Sequence, residues 1–173
     1  MKFRGLRADE IECRIGTVSK EGTGLSLLLY KTARVDADIL DETVGPESWQ
    51  SEFYECKGTL FCKVGILADR GDGLAEWVWK SDAGAPSNME SEKGEASDAF
   101  KRACFKWGIG RELYTAPFIW IPAERCNIAG GRCFDRFDVA KVQVSEGEQK
   151  CLEGLRIVNA KTGEVVYSWL KQS

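Results

Sequence analysis

Between residues 94 and 110 the chain reads "GEASDAFKRACFKWGIG", and its apolar positions fall at Ala96, Ala99, Phe100, Ala103, Cys104 and Trp107. Steps of three and one lay these side chains along one side of a helix, the stripe of an element that rests on a sheet. Gly108 stands where such a helix ends. Val35, Ile39, Leu40 and Val44 predict a second helix over about 33–44, closed by "GPES".

Between the two helices the period changes to two. "WQSEFYE" alternates, "GTLFCKVGILA" sets Leu60, Cys62, Val64 and Ile66 on one side, and "AEWVWKS" places Trp77 and Trp79 together. The connectors "CKG" and "DRGDG" suit an antiparallel meander. Paired tryptophans on one strand face are read as core residues. Upstream, "EIECRIGTVS" reads as a strand followed by the turn "KEGTG". Downstream come "PFIWIP", "FDRFDVAKVQV" and a hairpin over "NAKTG". The expected fold is therefore α+β, an antiparallel β-meander with packed helices and a small β-rich C-terminal extension. Residues 1–121 form the expected core and 122–173 an extension packed on the same domain.

With 173 residues, 43 % of them apolar, the chain has enough material for one real core. Its apolar runs are far shorter than the ~20 residues of a membrane span and "MKFRGLRADE" has no secretory core, so a cytoplasmic location is expected. The seven cysteines include no C-x-x-C pair, and there is no histidine. Reduced thiols are the expected state. Cys126 and Cys133, flanking "NIAGGR", are the two near enough to approach each other, and no disulfide is expected there. Without histidine, Ser-His-Asp and Cys-His catalysis are excluded, and a zinc site would need thiolates and carboxylates alone.

Charge changes the picture more than composition does. The net charge is −3, yet residues 36–55 hold seven acids and no base, whereas 93–111 hold Lys93, Lys101, Arg102, Lys106 and Arg111 against Glu95 and Asp98. On the second helix Lys101, Arg102 and Phe105 fall away from the apolar stripe, with Lys106 at its margin. Acids first and bases last complement the helix dipole, and Asp98 can pair with Arg102 one turn on. That accounts for the order of charges but not for an aromatic among them. Cations that track phosphates beside a flat side chain that stacks on bases are what single-stranded nucleic acid takes. An interface burying Phe105 and an ordinary solvated face remain open alternatives. Arg111 and Tyr114 in "GIGRELY" follow the helix end, where they extend such a surface or serve the fold. The acids Asp36, Asp38, Asp41 and Glu42 raise a metal-dependent nuclease as a further reading, weakened by the lack of an accompanying Lys or His.

"KGEASDAFKRACFKWGIGRELY", with "LLLYKTARVDADILDETVGPESWQ" upstream and the strands between, resembles the Rad52 family of single-strand annealing proteins, in particular its short phage and prophage members. The resemblance spans roughly residues 11–121. It implies a β-β-β-α core, assembly into rings or helical arrays, and a basic groove that holds single-stranded DNA by its backbone for annealing and recombination. It implies no cofactor and no ATP, in keeping with the absence of a G-x-x-x-x-G-K-[ST] loop. By motif position it makes Lys101, Arg102 and Arg34 phosphate contacts. Phe105 stands where eukaryotic members carry another base, with Lys106 beside it. A partner exonuclease or single-strand binding protein often accompanies such systems, and a nucleoid-associated location in a bacterial host follows.

Overall fold

The computed structural model describes residues 1–69, 71, 73–85, 91–147 and 149–172, with only the backbone for 91–93. The fold class is the α+β one expected: helices together with antiparallel sheets. The elements in chain order are β1 (Glu12–Val18), β2 (Gly24–Tyr30), α1 (Ala33–Val44), β3 (Trp49–Cys56), β4 (Thr59–Asp69), β5 (Ala75–Ala83) and α2 (Ser91–Trp107). After them come β6 (Ile119–Pro122), β7 (Ile128–Ala129), β8 (Arg132–Cys133), β9 (Phe137–Val144), β10 (Leu152–Asn159) and β11 (Val165–Leu170). They form two compact units, one of Met1–Arg4 with Thr32–Gly110, the other of Gly5–Lys31 with Arg111–Ser173. Among the described residues no helix is long and apolar enough to cross a membrane.

The first unit is the meander β3-β4-β5 with α2 packed on β4 and β5. Lys57 and Gly58 both take positive φ, 52° and 75°, the two-residue turn whose twist suits a hairpin. Cys62, Val64 and Ile66 are buried completely, as are Ala99, Ala103 and Cys104, so the period-two row of β4 meets the stripe of α2. The Trp107 indole seals the contact by donating to the Val64 carbonyl at 3.0 Å. At the end of α2, Gly108 (φ 101°) bonds back to Phe105 at 3.0 Å and Ile109 to Cys104 at 3.2 Å, which satisfies carbonyls that a helix end leaves without partners. Helix α1 buries Ile39 and Leu40 and ends at Gly45 (φ 87°).

The tryptophan expectation is corrected here. Trp77 pairs with Leu67 and Trp79 with Gly65, on the face turned away from α2, and Trp77 is 39 % exposed. Alternation gives the helix side to Val78 and Lys80 instead, opposite Ile66 and Val64. Trp79 lies flat on Gly65, where a β-carbon would come within 2.7 Å of its ring. The Lys63 ammonium sits 4.5 Å from the Trp79 ring centre and 3.0 Å from Glu52, and Tyr54 stacks on Phe61 at 5.3 Å. This face is aromatic and held in place, but it is not interior.

The second unit is built on a six-stranded antiparallel sheet in the order β11-β10-β9-β1-β2-β6, so β9, β10 and β11 share a sheet with the two strands that precede α1, while β7 and β8 pair as a separate hairpin. Its core includes Leu25, Leu27, Ile119, Ile121, Leu152, Leu155 and Ile157. Strands β1 and β9 lie side by side with their ladder register at Glu12 and Asp138. The "NAKTG" turn of β10–β11 is set by the Asn159 side-chain oxygen, which accepts the amides of Lys161 (2.9 Å) and Thr162 (3.3 Å).

Candidate nucleic-acid interface

The C-terminal half of α2 presents the cations, and the end of β5 organises two of them. Because Asp82 pairs with Cys62, its side chain lies on the α2 side of the sheet. Arg102 Nη2 is 3.5 Å from Asp82 Oδ1 and Lys106 Nζ is 3.7 Å from Asp82 Oδ2. Asp82 Oδ1 also accepts the Ala83 amide at 2.8 Å, which fixes the carboxylate. Lys106 further donates to the Ser81 carbonyl at 2.5 Å, while Lys80 donates to the Lys106 carbonyl at 3.0 Å and lies 4.3 Å from the centre of the Trp107 ring.

One carboxylate thus spans two cations one helical turn apart and leaves the trio with a net charge of +1. The side chains of Arg102 and Lys106 remain 49 % and 47 % exposed, so neither is walled off. Lys101 and Phe105, on the same helix, are half-buried. Asp98 does not supply the partner that its spacing to Arg102 offered: its Oδ2 accepts the Ala85 amide at 3.0 Å and closes the strand end over the helix. Glu95 does the same one turn earlier by accepting the Leu60 amide at 3.2 Å.

Arg34 is exposed in the first turn of α1, within the same unit. Arg111 and Tyr114 are exposed on a short 3-10 helix, Arg111–Thr115, that belongs to the second unit. The Lys93 side chain lies outside the described residues. The structure therefore joins Arg102 and Lys106 directly through Asp82 and carries Lys101 and Phe105 on the same helix.

Asp82 and Lys80 were missed in the sequence. The signal was present: Val78, Lys80 and Asp82 alternate with Trp77 and Trp79, so the period that pairs the tryptophans also delivers a carboxylate to the helix side.

Asp36 is buried, Asp41 accepts the Trp49 indole at 2.6 Å, and Glu42 accepts Arg4 at 2.5 Å. Among the described residues no three Cys, Asp or Glu side chains converge as a metal site would require.

A helix with a basic C-terminal half, packed on a three-stranded antiparallel meander, is the arrangement that carries these residues. The family model of Rad52/22 double-strand break repair proteins matches residues 5–125, and the chain belongs to that family. Among individual relatives, it is 32 % identical over 116 residues to the single-stranded DNA-binding protein DdrA of Deinococcus deserti, covering 66 % of this chain and 55 % of that protein. It is 33 % identical over 115 residues to the DdrA of Deinococcus radiodurans, covering 65 % and 52 %. The chain thus spans about half the length of the curated relatives it matches. No solved structure matches.

Proposed function

We propose that this protein binds single-stranded DNA along the exposed side of α2 and promotes annealing of complementary strands in recombination and repair, without ATP and as a homo-oligomer. The observation that carries the reading is the trio of Arg102, Lys106 and Asp82 beside Lys101 and Phe105, on the helix that holds the family motif. Two relatives named as single-stranded DNA-binding proteins support it. Half-exposed cations on a rigid helix meet phosphates without disturbing the core, and each phosphate neutralised releases counterions, so affinity falls steeply with salt. Repeating the surface around a ring or helical array would hold a strand extended for a complement to test register. Arg34 and Lys93 are further phosphate contacts in this reading, and Arg111 and Tyr114, in the second unit, are contacts proposed from the sequence alone. A phage origin, a host nucleoid location and a partner exonuclease or single-strand binding protein belong to the same proposal.

The test is the double substitution Lys101→Ala, Arg102→Ala, titrated by fluorescence anisotropy against a labelled oligonucleotide. Neither side chain is among the fully buried residues, so the circular dichroism spectrum is expected to stay unchanged while binding and annealing are lost. Undiminished binding would refute the assignment.

A further inference from the structure

We propose that Cys126 and Cys133 are a reversible thiol pair, which a small-molecule disulfide converts into an intrachain disulfide across the hairpin β7–β8. The proposal is independent of the nucleic-acid reading. The segment is "CNIAGGRC", and Gly130 and Gly131 take φ of 58° and 72°, a two-residue turn that brings Ala129 opposite Arg132 and Ile128 opposite Cys133. Cys126 is also extended (φ −151°, ψ 158°), so alternation carries Cys126 to the face of the hairpin that holds Ile128 and Cys133. Cys126 and Cys133 are then diagonal cross-strand neighbours. The Cys126 thiol donates to the Pro122 carbonyl at 3.4 Å with Cys133 beside it, and both are free thiols and half-buried. Asp135 holds the two arms together by accepting the Asn127 amide at 2.7 Å. Bonding takes the Cys126 thiol off the Pro122 carbonyl and draws the two arms of the hairpin together.

The environment also sets an order. Burial, aided by the neighbouring Cys133 and Asp135, pushes the Cys126 thiol up to about 11, so it is held protonated at neutral pH. With the Cys126 proton also donated to the Pro122 carbonyl at 3.4 Å, Cys133 is the sulfur that attacks first. Its thiolate displaces one glutathione thiolate from oxidised glutathione, forming a Cys133–glutathione disulfide. Cys126 then loses its proton to solvent, attacks the Cys133 sulfur and expels the second glutathione. The protein gives up two electrons and two protons, and the oxidant becomes two thiols. In a reducing compartment the pair stays open, and oxidative conditions close it.

The full-length protein is incubated with oxidised glutathione at mildly alkaline pH, remaining thiols are alkylated, and peptides are mapped by mass spectrometry. The expected result is loss of the Cys126 and Cys133 dithiol peptides, gain of one cross-linked peptide lighter by two hydrogens, and full reversal by a reducing agent. Exposed Cys56 takes up glutathione throughout and serves as the control for reactivity. In Cys126→Ser the mixed disulfide should accumulate on Cys133, whereas in Cys133→Ser residue 126 should remain unmodified. A pair still reduced when Cys56 is fully modified would overturn the proposal, as would a Cys126 that takes glutathione in the Cys133→Ser protein. Mapping of the unsubstituted chain decides the matter even if a variant misfolds.

Discussion

Replacing Asp82 with Asn gives a test in which the sign of the effect separates two accounts of the same ion pairs. Asn keeps an oxygen to accept the Ala83 amide and alters little in shape. It removes the negative charge 3.5 Å from Arg102 and 3.7 Å from Lys106, so the local net charge rises from +1 to +2. If this surface meets the DNA backbone, the variant neutralises about one more phosphate. For single strands each phosphate contributes a slope of about 0.7 in log K against log salt, so one more contact at 0.1 M salt is worth about 5-fold in affinity. The variant should therefore bind an oligothymidine about 5-fold more tightly at 0.1 M sodium chloride, with the advantage shrinking as salt rises. Stability should fall only slightly, because two half-exposed ion pairs contribute at most about 1 kcal/mol each. Fluorescence anisotropy at four salt concentrations gives both the affinity and the slope. Weaker binding, or equal binding with an unchanged slope, would mean that Asp82 and its partners serve only to fasten α2 to β5.

Two further outcomes concern stability. Gly65→Ala places a methyl group about 2.7 Å from the Trp79 ring, and overpacking of this kind costs about 1–3 kcal/mol, so the melting temperature should drop by several degrees and Trp fluorescence should shift. An unchanged melting curve would show that the tryptophan is not pinned to the strand. Burial raises the Cys62 thiol from 9.0 to about 11. Its protonated form is favoured in the folded state, so this contribution is intact below pH 9 and is lost as pH climbs through 11. At ~1.4 kcal/mol per pH unit the loss amounts to about 3 kcal/mol, and Cys62→Ala should flatten the alkaline limb of a urea-denaturation series.

Much of the first unit was legible because its signals are local. Ala99, Phe100, Ala103 and Cys104 carry a helical period within one stretch, Cys62, Val64 and Ile66 carry a strand period within another, and the two rows meet as their patterns require. The family motif lay in the same stretch. The tryptophans were misread because apolar character alone does not say which face of a strand is covered: Gly65 lets Trp79 lie flat, and a lysine rather than a second layer covers its ring. The candidate interface was half legible. Spacing gave Arg102 and Lys106, but the carboxylate that joins them sits on a strand more than a turn of loop away, where only the register of β4 and β5 brings it in. The six-stranded sheet was least legible, since nothing near β9 names β1 as its neighbour.

That sheet also fixes an order of events during synthesis. Strands β1 and β2 leave the ribosome before residues 32–110, but the second neighbour of β1, β9, joins it at Asp138, roughly 126 residues after Glu12. At translation speeds of about 5–20 residues per second the wait is on the order of ten seconds, during which residues 32–110 emerge complete. Residues 32–110 are thus all available before the sheet that β1 and β2 belong to can close, and for that interval the β1–β2 hairpin carries an open strand edge.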